Sequence, residues 1–397
     1  MRTRVFVLVL LALSLPGYCA QAAIPREAGA FEEWGSKTLA RIRRSLYLGN
    51  AGFYAEDRDL AKPAPERPAF LWGAGVQLSA LAAAARVRPS EYLAQARAYA
   101  DALDAYWITA GGIGGYDVLP HASSPDRYYD DNAWVVLDLL EMYRLTHHKK
   151  YLSRAERAMA FVLSGQDASC GGGIYWHEQK HTYKAACSNA PVIVGLLSLY
   201  QVTHTPEYLA RARRLYQWIN TTLQDRDGLY FDGIRVDGSL EKRKWSYNSA
   251  LMIRANCLFY AVTRDAGYLK EAERIAKAAE TQWVRADTGA IDDDAAFAHL
   301  LCGAFVDLYR AGHDARWLDV AARAAEFVWR SVQAPNGYFG HNWATTYSHR
   351  LLKITLLDQA SAARAFWTLA ALAKDLRTAF CSPGRPHSVA VAPAEVR

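Results

Sequence analysis

Little in this 397-residue chain points to bound metal or to redox chemistry. Its six cysteines are scattered and no Cys-x-x-Cys pair occurs, so no metal site and no cofactor is expected. Charge of one sign is also scarce. The 46 basic and 40 acidic side chains leave a net +6, too small and too dispersed for a nucleic-acid surface. The longest uninterrupted apolar core at the amino terminus, Val5 to Leu13, is well short of the roughly 20 residues of a membrane span.

That core instead completes the plan of a secretory signal. Arg2 and Arg4 precede it, and Pro16-Gly17 and the small-residue stretch Ala20-Gln21-Ala22 follow, so residues 1–23 read as a signal peptide cut near Ala22 or Ala23. A lipid anchor at Cys19 is disfavoured by the bulky Tyr18. The mature protein is therefore expected outside the cytoplasm, periplasmic or extracellular, as a monomer with no membrane span. Losing Arg2 and Arg4 lowers the net charge to +4, and losing Cys19 leaves five cysteines. An oxidising compartment would allow Cys170 and Cys187 to close the loop they bracket, whereas Cys257 and Cys302 sit in apolar helical runs as buried thiols. The folded domain is expected over 24–380. The segment 381–397, Pro-containing and without apolar periodicity, is expected to be disordered.

What the chain does have is an internal repeat. An aromatic-Leu pair opens a helix, with Ala three residues after the Leu, at Tyr92-Leu93, Tyr151-Leu152, Tyr208-Leu209, Tyr268-Leu269 and Trp317-Leu318. Each recurrence marks an amphipathic helical hairpin. The spacing predicts helix pairs over 70–86 with 90–107, 130–146 with 148–164, 188–203 with 205–222, 247–263 with 265–284, and 294–311 with 313–331. Helices over 32–46 and 355–377 remain to pair with each other. Six hairpins whose first and last elements meet make an all-α fold, the (α/α)6 barrel, with an open superhelix as the competing arrangement.

Turns within hairpins are short, as at His147-His148, which places both histidines at the end away from the long loops. Connections between hairpins, over 108–129, 165–187, 223–246, 285–293 and 332–354, are long and must all lie at one end. They are dense in rings: Tyr116, Tyr128, Tyr129, Tyr175, Trp176, Tyr183, Tyr230, Phe231, Trp245, Tyr338, Phe339, Trp343 and Tyr347, interleaved with His177, Lys184, Asp232 and His341. Flat rings beside hydrogen-bonding groups suit the C–H faces and hydroxyls of sugars, and Tyr129 and Trp343 are counted among the substrate-contacting rings. At the same mouth Asp130 and Asp131 open a strongly apolar helix. An acidic pair there is ordinary helix capping, but in a ring-lined cleft two carboxylates fit glycoside hydrolysis. Neighbouring positions on a helix bring the pair closer to the roughly 5–5.5 Å of retaining enzymes than to the wider inverting gap.

The run YYDDNAWVVLDLLEMYRLT, then YLSRAERAMAFV, GGGIYWHE, the Lys184–Asn189 helix start, and WSYNSALMIRANCLFYAVTRDAGYL together resemble the family 76 glycoside hydrolases, the endo-α-1,6-mannanases. The resemblance implies an (α/α)6 barrel and retaining cleavage of α-1,6-linked mannan, with Asp130 as nucleophile and Asp131 as acid/base. Trp134, Trp176, Asn189, Tyr247 and Asn248 fall where that family places cleft residues. Two departures, Asn248-Ser249-Ala250 and Phe297-Ala298-His299, bear on the subsites. The expected partner is an α-mannan polysaccharide or oligosaccharide.

Two other readings are open from the residues. One is a different toroidal sugar enzyme, an unsaturated-uronyl hydrolase or an epimerase, using Asp292-Asp293-Asp294 as its acid; the basic residues available to hold a uronate, Lys184, Arg235 and Lys242-Arg243-Lys244, read instead as a solvated loop. The other is a glycan-binding protein without turnover.

Overall fold

The computed structural model describes residues 28–49, 52–63 and 67–380. The expected signal peptide and the whole of the expected tail lie outside the described residues.

Among the described residues twelve α-helices alternate between two rings. The inner ring is α2 (Leu71–Val87), α4 (Tyr129–Thr146), α6 (Ala186–Thr203), α8 (Ser246–Thr263), α10 (Ala295–Gly312) and α12 (Leu356–Phe380). The outer ring is α1 (Ala28–Leu46), α3 (Pro89–Ala102), α5 (Lys149–Ser164), α7 (Pro206–Thr222), α9 (Ala266–Trp283) and α11 (Ala315–Phe327). Each inner helix packs on the next, α12 packs on α2, and α1 packs on α12, so the ring is closed. Composition explains the layering. Inner helices have protein on nearly all sides: α6 has a mean hydropathy of 1.2 over 18 residues and is 78% buried. Outer helices keep one apolar stripe facing in.

The repeat now has a physical meaning. Ala96, Ala155, Ala212, Ala272 and Ala321 are all completely buried, where a small side chain lets the outer helix approach the inner ring. The short turns also recur. Thr146, Thr203 and Thr263 each bond the carbonyl four residues back and accept the amide two residues on. The residue between, His147, His204 or Arg264, is left-handed, as is His313 in the fifth turn.

At the other end the structure adds short strands that helical periodicity does not predict. The helix expected to run to 107 stops at Ala102, because Trp107–Ala110 (β2) pairs with Ile113–Tyr116 (β3) through Gly111-Gly112, both at positive φ. Asp57–Asp59 (β1) pairs with Lys353–Thr355 (β7), tying the connection before α2 to the one before α12. Tyr183–Ala185 (β4), Gly233–Arg235 (β5) and Leu240–Glu241 (β6) form a three-stranded sheet. Strand pairing satisfies backbone groups that long packed connections otherwise leave without partners.

Candidate active site

The site is set by how the inner helices begin. In α4, α6, α8 and α12 the fourth residue is Asn132, Asn189, Ser249 or Gln359, and each clamps the backbone of the preceding connection. Asn132 accepts from Tyr116 N at 2.7 Å and donates to the Tyr116 and Tyr128 carbonyls. Asn189 does the same for Ile174 and Ala185, Gln359 for Phe339, and Ser249 accepts from Tyr230 N. The signal was present in sequence as a polar residue followed by Ala at each of these four inner-helix starts.

With the loops clamped, a cleft of about 1080 Å³ opens over the N-termini of α4, α6 and α8. Asp130 and Asp131 both line it, with Tyr128, Trp134, Trp176, Tyr183, Asp232, Tyr247 and Phe297. Asp130 Oδ2 accepts from Trp176 Nε1 at 2.9 Å and from Cys187 Sγ at 3.3 Å. Its other oxygen, Oδ1, is buried without a hydrogen-bond partner. Burial raises the pKa of Asp130, with the Trp176 and Cys187 bonds opposing that rise. Among the described residues no such donor holds Asp131. Burial and the charges of Asp130 and Asp126 push its pKa well above the usual carboxylate range. Two neighbouring carboxyls are thus set apart: one held by donors, the other favoured in its protonated form.

Trp176 stands on the rim, 41% exposed and edge-on to Tyr128. Tyr247 stacks on Phe297 at 4.5 Å, and Phe297 stacks in turn on Trp72 at 5.8 Å, making one aromatic wall. Tyr183 donates to Asp232 at 2.6 Å across the opposite side.

Other expected contacts lie elsewhere. Tyr129 is buried, stacked on Phe161 and packed against Gly165, because it points outward from α4 between the rings. Trp343 is completely buried in the core. Asn189 is spent on its clamp. Asn248 is buried and reaches toward the cleft residue Asp232 at 3.5 Å, with its Oδ1 unpartnered. Cys170 and Cys187 are both free thiols, Cys170 reaching the Arg235 carbonyl. Lys184 is fully buried rather than solvated; its ammonium holds Asp167 Oδ1 at 2.6 Å and the Ser169 and Gly172 carbonyls. Lys244 pairs with Asp225 and Asp227, whereas Arg235 and Arg243 line the cleft. The acidic triplet is absorbed structurally: Asp292 pairs with Arg285, and Asp293 accepts the amides of Ser246 and Asp294.

The expectation of no metal passes over one spacing, His177-Glu178-Gln179-Lys180-His181, which on a helix would bring two imidazoles to one face. Here it forms a tight turn. His177 is buried against Asp126, Glu178 pairs with Arg127, and His181 stacks on Tyr175. Among the described residues no group of three His, Cys, Asp or Glu side chains is placed to hold a metal ion.

No curated protein matches the chain. Among solved structures, a family 76 α-mannanase of Bacteroides thetaiotaomicron is 30% identical with a TM-score of 0.83, covering 87% of this chain and 97% of its own. A second Bacteroides thetaiotaomicron structure, described as a glycoside hydrolase family 76 mannosidase, is 25% identical with a TM-score of 0.81 over 87% and 99% of the two chains. An inactive variant of an α-1,6-mannanase from Salegentibacter sp. HEL1_6, solved with α-1,6-mannotriose, shares the fold at 21% identity and a TM-score of 0.73, over 86% and 99%. The fold extends to a cellobiose 2-epimerase from Bacillus thermoamylovorans, 16% identical with a TM-score of 0.67 over 85% and 99%. The sequence profile of glycosyl hydrolase family 76 matches residues 37–375, nearly the whole barrel, and the chain belongs to that family.

Proposed function

We propose that the protein is an exported retaining glycoside hydrolase that cleaves α-1,6-linked mannan or a closely related α-mannoside. The observation that carries this reading is the unequal treatment of two adjacent carboxyls in one aromatic cleft. Asp130, oriented through Oδ2 by Trp176 and Cys187, keeps Oδ1 free to attack the anomeric carbon. Asp131, favoured in its protonated form, gives its proton to the glycosidic oxygen as the bond breaks. That leaves a glycosyl ester on Asp130 and a carboxylate at Asp131. The carboxylate then takes a proton from water, whose oxygen releases the sugar with its original anomeric configuration. The wall of Trp72, Phe297 and Tyr247 suits the C–H faces of pyranose rings. Similar proteins support the choice of sugar, since one family 76 neighbour is an α-mannanase and another was solved with α-1,6-mannotriose.

The test is incubation of the mature protein with linear α-1,6-mannan and with debranched yeast-type mannan, beside Asp130→Ala and Asp131→Ala, with products resolved by chromatography. Oligosaccharides from wild type alone, α-configured when first formed by NMR, are expected. Products of inverted configuration would reject the double displacement. Stable binding of mannan oligosaccharides with no product from either polymer would favour a glycan-binding protein.

A further inference from the structure

Beneath the cleft the barrel axis holds a second cavity, of about 400 Å³. Trp72 and Trp134 line both spaces and divide them. Five arginines also line this axial cavity. Arg86, Arg144 and Arg310 come from the last turns of α2, α4 and α10, and Arg254 and Arg364 from within α8 and α12. One arginine in a last turn is what the helix dipole favours. Several turned onto one chamber concentrate positive charge there.

Glu141 takes Arg364 at 3.2 Å. Asp307 is shared by Arg254 at 3.3 Å and Arg310 at 3.7 Å, and Asp375 by Arg86 at 2.7 Å and Arg310 at 3.3 Å. The remaining carboxyl, Asp138, is 7% exposed and lines the cavity with no hydrogen-bond donor among the described residues. Burial and the charge of Glu141 raise its pKa well above the usual range, against the opposing charges of Arg364 and Arg254. His299, pushed down to about 4 by burial, is neutral. Five guanidinium groups therefore face four carboxyls, one of them the buried Asp138. Arg144 is the unmatched one: among the described residues its side chain reaches only Gln201 Oε1, at 3.5 Å. It is exposed, so its guanidinium is open to a ligand from solvent.

We propose that the short-turn end of this chamber is an anion site for a small inorganic oxyanion, phosphate or sulfate, held by Arg144 with Arg86 and Arg254. The guanidinium fork offers paired N–H donors that match two oxygens of a tetrahedral anion, and chloride would use the charge but not the pairing. The site is separate from the cleft and does not depend on the reaction proposed there.

The test is titration calorimetry with inorganic phosphate at constant ionic strength, on wild type, Arg144→Gln and Arg144→Lys. Arg144→Gln breaks no ion pair, and its thermal melt in phosphate-free buffer checks that it folds as wild type does. One saturable site in wild type is expected, weakened at least tenfold by Arg144→Gln and by a smaller factor by Arg144→Lys, with sulfate competing and chloride not. Unchanged phosphate affinity in Arg144→Gln would move the anion to the cleft arginines, Arg235 and Arg243, and overturn the proposal. Absence of saturable binding in wild type would overturn it as well.

Discussion

At one end of the barrel an inner helix passes to its outer partner through one or two residues; at the other the chain wanders through 103–128, 165–185 or 223–245 before the next inner helix begins. The helices are the same at both ends, so the contrast isolates what the connections do. In three of its five turns the short-turn end repeats one local solution, a threonine and a left-handed residue, whose hydrogen bonds are all within the turn. The long-loop end has no local solution. Its backbone is held by groups from other elements: amides of inner helices, a buried lysine, and short strands. Stability at the first end is local, and at the second it is bound up with the site.

The sharpest way to break this contrast is at the cleft floor. Asp130→Asn is expected to lower activity on α-1,6-mannan by about 10⁴-fold or more, with thermal stability held or raised because a buried charge is removed, and Asp131→Asn by about 10²–10⁴-fold. Activity requires Asp130 ionised and Asp131 protonated. It should fall as pH drops through the Asp130 pKa and as pH rises through that of Asp131. With both raised by burial, the profile should lie above that of ordinary carboxylates. An alkaline limb unaltered in Asp131→Asn would remove Asp131 from the acid role.

The clamps come next. Asn189→Ala leaves the Ile174 amide and the Ile174 and Ala185 carbonyls without their partner. A loss of about 2–3 kcal/mol in urea unfolding is expected. If Asn189 were instead a sugar contact, the substitution would raise KM and leave the unfolding midpoint in place.

This is also where sequence and structure part. Helix number, pairing and closure were legible because apolar period and a repeated aromatic-Leu…Ala pattern report directly on helix faces. Asp130 and Asp131 were legible because a helix start fixes where its first side chains point. The ring residues were not. Tyr129 and Trp343 carry the same residue types as Tyr247 and Trp176, and only tertiary packing decides which of them face the cleft. Asn189 illustrates the same limit for polar residues, since a buried amide that clamps a loop and one that binds a hydroxyl look alike in sequence. Phe297, which opens the departing run Phe297-Ala298-His299 and is itself shared with the family pattern, turns out to be the centre of the aromatic wall.

A smaller effect tests whether charge at the open end also holds loops. His341 lies between Asp358 at 2.9 Å and Asp294 at 3.2 Å, and these carboxylates raise its pKa to about 9. A pKa raised on folding gives stability that is complete below about 6.5 and is lost as pH rises through about 9. The imidazole is largely exposed, so screening limits the contribution to under about 1 kcal/mol. Melting temperature should decline over that window in wild type and run flatter in His341→Gln. Equal slopes would show that the contact does not tie the 332–354 connection to α10 and α12.

The smallest expected effect belongs to the closed end, and its sign is what matters. His204 occupies the left-handed region at φ 56° in a turn that Thr203 and the Tyr200 carbonyl already satisfy. A side chain there strains the backbone by on the order of 1 kcal/mol, which glycine avoids, while glycine's freer unfolded chain takes part of that back. His204→Gly should therefore raise stability by less than about 1 kcal/mol in urea unfolding and leave mannan cleavage unchanged. A clear destabilisation would mean that the imidazole, edge-on to Tyr200 at 6.3 Å, holds the turn through its ring rather than its backbone. The closed end would then depend on side chains, as the open end does, and the division between them would fail at its simpler half.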